Sequence, residues 1–505
     1  MATDVAQEQV ISVLEEPALE FGNRQLTIDP HDGLSLFGPF SAGTSEDPGS
    51  PAHIVLGTPE GLALWNDWST AMNKPAFLEK SERHRLWPPF PGYQAAYGSA
   101  WASQPVKAFE LDRAKLIDAS RKKDNHERCF AVVEMFLDCL EKTKKIDAKI
   151  AVAICVVPDE VWKNCRPESR VANPTDAGIS KREKELRKKG QLDLFNEFDT
   201  EQYQLSPDFR RQIKARCMKF EIPIQIIRES TLRLSDEMKP GERGLTPLSD
   251  RMWNLSTALY YKAGGKPWRL ATARTGVSYV GIAFRKTQDD ERSACCVAQM
   301  FLSNGDGIVF LGDEGPWYST EDKQFHLPPK SAEKLLKGVL ETYNDMGGTQ
   351  PMDEIFLHCR SSISAEEYAA YLKACPENCK LVAVQVRLDK SGPRLYRVGN
   401  MPILRGTLWK RHDRSGFLFG SGFKPRIATY DGWETPVPLR IDIQHGEASI
   451  DSVAQDIFAL TKLNYNACKL GEGQPVTVGF SDAVGEILLA NPTVKDRKPN
   501  FKYYV

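Results

Sequence analysis

Apolar positions along this chain repeat with two different periods, and the places where the period changes divide it into blocks. In HERCFAVVEMFLDCLEKTKK (126–145), Phe130, Val133, Phe136, Leu137 and Leu140 recur at helical spacing. The next apolar run, KIAVAICVV (149–157), is continuous, the pattern of a strand buried on both faces, and PDEVW after it supplies a Pro and an acidic pair suited to a helix start. A helix followed by a buried strand predicts a parallel α/β unit. DFRRQIKARCMKF (208–220) predicts a helix, IPIQIIRES (222–230) a strand, and LSDRMWNLSTALYYKAGG (248–265) a helix closed by two glycines. Residues 172–204 read as an insertion, with the charged run SKREKELRKKG (180–190) as a solvated helix or loop in preference to a binding site.

The pattern changes near residue 268. WRLATARTGVSYVGIAFRK (268–286) leads into a strand, and SACCVAQMFLSNGDGIVFLG (293–312) alternates on both arms of a hairpin that turns at Asn304–Gly307. A helix over 331–345, a strand over 353–360 and a helix over 364–375 follow. Strands, a hairpin and alternating helices predict a mixed-sheet α/β domain of the RNase H type. Residues 1–110 are rich in Gly, Pro and aromatics and predict irregular segments and short strands, with 41–53 a polar loop. The expected division is therefore 1–110, 111–265 and 266–505.

Composition narrows the class. The chain has 505 residues, 41% hydrophobic and 26% charged, as in an ordinary globular protein with a large core. No run reaches the roughly 18–20 apolar residues of a membrane helix, and the acidic N-terminus lacks a signal-peptide pattern, so a cytoplasmic location is expected. Eleven scattered cysteines are expected to be reduced there. Cys375 and Cys379 are the one close spacing that invites a metal reading; with no second Cys/His pair at zinc spacing, a loop with two thiols is favoured over structural zinc. A net charge of −1 neither supports nor excludes a nucleic-acid partner, since backbone phosphates require only a focused basic channel or a partner that completes one.

One group of residues carries candidate chemistry. Arg210 and Lys214 are four apart and share a helix face; Gln225 follows in the next strand; Lys262 ends the helix before Gly264 and Gly265. Converging cations and an amide would make a phosphate pocket. Spacing alone leaves the plainer alternative open, a solvated helix and an unrelated polar strand residue.

ALYYKAGGKPWRLA (258–271) with YVGIAF (279–284) resembles the MID-to-PIWI junction of Argonaute proteins, and IPIQIIRESTL (222–232) resembles the MID strand before it. DIFALTKLNYNACKL (456–470) and QPVTVGFSDAVGEIL (474–488) resemble the end of PIWI domains. DPHDGLSLFGPF (29–40) and the chain length resemble short prokaryotic Argonautes, which lack the N and PAZ domains. The resemblance implies a Rossmann-like MID domain (111–265), an RNase H-like PIWI domain (266–505) and an irregular N-terminal segment (1–110). It implies that Arg210, Lys214, Gln225 and Lys262 bind the 5′-phosphate of a guide. It further implies a Mg2+ bridging the guide's first phosphates with help from a carboxylate of Val505. The closing FKYYV suits either a tucked-in end or an ordinary edge strand.

Cleavage by an RNase H-like site needs several carboxylates holding two metals. Matched to the motifs of cutting Argonautes, the first position is Ala283, the next is Ser361 with Ser362 beside it, and only Asp482 keeps an acid. Asp289, Asp290, Glu291 and Asp313 are expected in solvated loops or turns, Asp482 as a structural or helix N-cap residue, and His358 as a core histidine. The expectation is a PIWI domain that does not cut. In RGTLWKRHDRSGFLFGSGFKPR (405–426) cations alternate with aromatics, and Lys410, Arg411 and Arg414 are the candidates for a guide or target channel, against a surface connection.

The resemblance then implies a role. A 5′-phosphorylated guide RNA would direct the chain to single-stranded DNA from an invading plasmid or phage. An obligate partner carrying an APAZ region and an effector (sirtuin-like or TIR and NAD-consuming, or a nuclease) would be activated, with cell death or dormancy as the result. The aromatic first 110 residues are the candidate partner surface, or else pack on the chain itself. The rival readings are a metal-dependent guided nuclease with displaced carboxylates, and a scaffolding α/β protein without nucleic acid.

Overall fold

A computed structural model describes residues 10–78, 84–188, 201–236, 245–286, 294–302, 307–348, 352–491 and 497–505. Three sheets organise it. The first strands, β1 (Val10–Val13), β2 (Leu19–Glu20) and β3 (Leu26–Thr27), are short, and the helix Pro30–Phe37 follows, capped by the Asp29 carboxylate accepting from the His31 amide.

The four-stranded sheet is parallel throughout. It contains β4 (His53–Gly57), β5 (Lys107–Glu110), β6 (Val152–Val157) and β7 (Ile224–Arg228) in the order β5-β4-β6-β7. HIVLG and VAICVV are buried at every position, as a sheet covered on both faces requires. Ile54, Leu56, Ala153 and Cys155 face a core shared with the helices Asn125–Glu141 and Phe209–Cys217. Val55, Ile154 and Val156 face the helices Pro59–Ala71 and Leu248–Lys262. This is the doubly wound arrangement expected for the middle of the chain, but the boundary expected at 110 cuts through it. Half of its strands come from the segment read as irregular. Its signal was hidden because HIVLG is short and sits between Pro-rich loops. Of the aromatics of that segment, Trp65, Trp68, Phe90, Tyr93, Tyr97 and Trp101 pack in the chain's own core, the second of the two expectations, while Phe77 is exposed.

A short strand, β8 (Arg269–Leu270), pairs with β2 and joins the two larger units. The second large sheet holds β9 (Val277–Lys286), β10 (Ala294–Leu302), β11 (Gly307–Gly315), β12 (Glu354–Cys359), β13 (Lys380–Leu388), β14 (Thr407–His412), β15 (Ser415–Phe419) and β16 (Leu439–His445). With β1 it has nine strands in the order β1-β14-β15-β16-β13-β12-β9-β10-β11. The pairs β9–β12 and β12–β13 are parallel and the others antiparallel, giving the mixed sheet expected. The helices Pro329–Asp345 and Ala365–Ala374 cover one face through Leu335, Val339, Ala370 and Tyr371. The helices Ile450–Leu460 and Ser481–Leu489 cover the other through Val453, Ile457, Val484 and Ile487. The arms of the expected β10–β11 hairpin pair as predicted, while its turn, Asn304 to Asp306, lies outside the described residues, as do Asp289, Asp290 and Glu291.

Candidate functional site

The helix Phe209–Cys217 begins where the Asp208 carboxylate accepts from the Arg211 amide at 2.9 Å. Phe209, Ile213 and Cys217 form its core face, which turns Arg210 and Lys214 to the other side. Lys262 ends the helix Leu248–Lys262, and Gly264 beyond it takes φ of 112°, a conformation that suits glycine. Arg210, Lys214, Gln225 and Lys262 line one cavity of about 370 Å³, together with Trp162, Arg251 and Val505. The four residues singled out in the sequence therefore converge.

The polar atoms of this cavity are unevenly satisfied. Lys214 Nζ donates to Tyr504 O at 3.1 Å and Val505 O at 2.5 Å. Lys262 Nζ donates to Asn466 Oδ1 at 3.4 Å. Gln225 donates through Nε2 to Ile226 O, while its Oε1 is buried without a partner. Burial, with the charges of Lys262 and Arg210, holds the Lys214 ammonium well below the usual lysine range. Burial and the Arg210 charge bring Lys262 down to about 7. Cations held together in poor solvent are a site that an anion would relieve. The chain ends tucked in: Phe501–Tyr503 is a 3-10 turn, and Tyr504 and Val505 are buried, which removes the edge-strand alternative. An oxygen of Val505 and the orphaned Oε1 of Gln225 belong to the same cavity lining, and such hard oxygens suit a Mg2+ that takes its remaining ligands from phosphate and water. Among the described residues, no group of three or more His, Cys, Asp or Glu side chains is placed to hold a metal, at Cys375 and Cys379 or elsewhere.

The three positions matched to metal ligands lie at one end of the large sheet. Ala283 is buried on β9, Ser361 follows the end of β12, and Asp482 stands in the first turn of the helix Ser481–Leu489, which packs on β9. Of the two roles expected for Asp482, the structural one holds: Phe480 has the N-cap place, and the Asp482 carboxylate is paired with Arg360 and, at 3.6 Å, with Arg285. Arg285 also pairs with Glu486 at 2.9 Å, and Glu486 with Arg211 at 2.8 Å. These arginines escaped the sequence reading because only the register between β9 and β12 brings Arg285 and Arg360 together. Asp313 is held by Lys334 and Ser331. His358 is buried, bonds Thr477 Oγ1 at 2.9 Å, and is pushed by burial down to about 3, so it is a neutral core histidine as expected.

Lys410, Arg411 and Arg414 are not brought to the cavity. They lie on the β14–β15 hairpin, where Lys410 pairs with Asp451 at 3.0 Å and Arg414 donates to the carbonyls of Ile443 and Gly446. Arg411 is exposed, 5.9 Å over the Phe417 ring. The helix Lys181–Lys188 docks on the body of the chain through Lys184–Asp124 and Arg187–Glu127 pairs.

No protein-family model matches the sequence. It is similar to the protein argonaute of Aquifex aeolicus (strain VF5), 22% identical over 283 residues, which are 55% of this chain and 35% of that protein. Among solved structures, Clostridium butyricum Argonaute bound to a guide DNA and a 19-mer target DNA superposes with a TM-score of 0.63 at 15% identity, over 96% of this chain and 53% of that one. Drosophila Piwi gives 0.59 at 12% identity, over 98% and 56%. Aquifex aeolicus Argonaute with externally bound siRNA gives 0.55 at 14% identity, over 99% and 56%. The chain thus spans about half the length of these solved relatives and about a third of the curated one. Nearly all of it shares the fold of the matching part of these Argonaute structures, and its sequence is similar to that of an Argonaute protein.

Proposed function

We propose that this chain is a short prokaryotic Argonaute, a guide-directed sensor that binds a 5′-phosphorylated RNA and finds complementary single-stranded DNA without cutting it. The observation that carries the reading is the cavity where Arg210, Lys214 and Lys262 converge around an unpartnered Gln225 oxygen. A terminal phosphate matches the three cations in charge and in acceptor oxygens, leaving the Gln225 oxygen, itself an acceptor, for a metal ion, and would return to the buried lysines the charge that desolvation disfavours. A Mg2+ would be held by Val505 and Gln225 with the guide's own phosphates, adding positive charge to the same anion. Similarity to an Argonaute solved with guide and target DNA supports a nucleic-acid ligand.

Absence of cutting is supported by the residues at the sheet end. Ala283 and Ser361 bring no carboxylate, and the remaining one, on Asp482, already carries two guanidinium partners. A two-metal site needs several free carboxylates. A sensor that does not cut requires an effector, and an APAZ-containing partner with a sirtuin-like, TIR or nuclease domain is the reading we adopt, in defence against plasmid or phage and ending in cell death or dormancy. The partner surface falls on β1, at one edge of the nine-stranded sheet, where Val10, Ile11 and Val13 are all exposed.

The test is binding of a short 5′-phosphorylated RNA against its 5′-hydroxyl twin, by the wild type and by Lys214→Ala/Lys262→Ala. A phosphate preference that disappears in the variant supports the reading. Equal binding of both RNAs by both proteins overturns it.

A further inference from the structure

We propose that Arg285 and Arg360, held by Asp482, form a second phosphate-holding site that grips a backbone phosphodiester of the guide or of the strand paired with it. The proposal rests on the guide-binding reading above and adds a contact outside the 5′-phosphate cavity.

Placement comes first. β9 and β12 are parallel neighbours with Cys359 opposite Ile282. Arg360 directly follows Cys359, and Arg285 stands three residues after Ile282, so both side chains leave the same carboxyl edge of the sheet. Open α/β sheets place their ligands at that edge.

The guanidinium groups are held in position by backbone. Arg285 Nε donates to Asp482 O at 3.1 Å, and Arg360 Nη2 to Val478 O at 3.0 Å. Their other N–H groups face the Asp482 and Glu486 carboxylates, yet Arg360 and Asp482 keep 42% and 37% of their side-chain surface in water. An incoming anion can therefore reach the fork that Asp482 now occupies. Among the described residues, the three guanidinium groups of Arg211, Arg285 and Arg360 share two carboxylates, Asp482 and Glu486. Planar guanidinium groups with fixed forks suit phosphate oxygens, and a phosphodiester would replace Asp482 as their acceptor without a rearrangement of the sheet. Arg211 ties the cluster to the helix that carries Arg210 and Lys214, so the two phosphate sites share one rigid element.

The experiment uses the full chain with a 5′-phosphorylated RNA guide, in two arms: guide binding alone, and binding of complementary single-stranded DNA by the guide-loaded protein. Wild type, Arg360→Ala, Arg285→Lys/Arg360→Lys and Asp482→Asn are compared across salt concentrations, with melting curves to show that each is folded. Arg360→Ala is expected to weaken binding and to make the plot of log affinity against log salt shallower by about 0.7–0.9, the change for one lost phosphate contact. Asp482→Asn is expected to tighten binding severalfold, because the forks lose their competitor, and the lysine pair is expected to keep most of the salt slope. Effects confined to the guide arm assign the phosphate to the guide, and effects confined to the DNA arm assign it to the target; both support the site. Unchanged slopes in both arms for folded Arg360→Ala and Asp482→Asn overturn it and leave the 5′-phosphate reading standing. A wild type without preference for the 5′-phosphate overturns that reading and this one together.

Discussion

Lys214 Nζ lies 2.5 Å from the oxygen of Val505, 291 residues further along the chain. The cavity is therefore built across the two halves of the protein: Arg210, Lys214, Gln225 and Lys262 come from the parallel-sheet half, while Asn466 and Val505 come from the mixed-sheet half. The cavity is complete only when the halves are docked, so under the proposed function anything that loosens their contact should also weaken phosphate binding.

Guide binding should take up a proton near neutral pH. Lys262 is held at about 7 by burial and the Arg210 charge, so it is partly neutral in the free protein at pH 7.5. A bound phosphate restores its charge, and affinity for 5′-phosphorylated RNA should fall as pH rises above 7, by up to about tenfold per unit for a one-proton uptake. The folding side has the opposite sign to the usual lysine. The proton binds more tightly in the unfolded chain, so without ligand Lys262 subtracts stability progressively as pH falls from the ordinary lysine range to about 7. Calorimetry in two buffers of different ionisation enthalpy measures the uptake, and Lys262→Met should remove the share that Lys262 carries. No uptake in the wild type would mean that Lys262 is not at the phosphate.

Glu16 pins the N-terminal segment to the large-sheet half. Its carboxylate meets Arg405 and Lys462, each at 3.0 Å, and those cations are 1% and 0% exposed. Burial alone would raise the Glu16 carboxyl, but the two cations outweigh it and hold it below the usual range. Glu16→Ala strands two buried charges and should cost about 3–5 kcal/mol, with a clear loss in melting temperature. Glu16→Ala combined with Lys462→Met should recover part of that loss. A single variant that melts like the wild type would show that the triad carries no stability.

The reading of the sequence succeeded where chemistry is local and missed where it is not. KIAVAICVV announced β6 because a strand covered on both faces needs no polar alternation. HIVLG did not announce β4, since five residues between Pro-rich loops give no period to read. Arg210 and Lys214 were legible as a pair because helix geometry sets their spacing, whereas the arginines around Asp482 depend on strand register. The run from 405 to 426 looked like a binding surface because cations alternate with aromatics. In the structure Lys410, Arg411 and Arg414 lie on the β14–β15 hairpin, with Arg414 bonded to the carbonyls of Ile443 and Gly446.

His326 should make stability depend on pH in the neutral range. Its ring bridges Asp322 at 2.7 Å and Glu367 at 3.0 Å, and Glu367 also accepts from the Leu327 amide and caps the helix Ala365–Ala374. Burial alone would lower the imidazole, but its bonds to Asp322 and Glu367 outweigh this and hold it above 6.5. The stabilisation is fully present below the unfolded value and is lost as pH rises through the folded one. His326→Gln should therefore cost about 1–3 kcal/mol at pH 5.5 and much less at pH 8.5, read from denaturation curves at both. Equal losses at the two pH values would mean that the charge on the ring contributes nothing.

Gly281 should be the least replaceable residue in YVGIAF. A Cβ placed there would sit 2.0 Å from Thr477 O, in the backbone of the short helix Val476–Gly479 that lies across β9. The clash is with main chain, so no side-chain rotation relieves it. The same segment carries Thr477, which bonds His358, and Val478, whose carbonyl holds Arg360, so a shift there disturbs both the core and the arginine cluster. Gly281→Ala should destabilise the protein by about 1–3 kcal/mol or more, as overpacking against a fixed wall does. Ala283→Gly, two residues along on the same strand, should cost only about 1 kcal/mol. Comparing the two by chemical denaturation separates a steric demand at Gly281 from a general intolerance of β9: similar losses would remove the close approach of the Val476–Gly479 turn as the reason that glycine stands there.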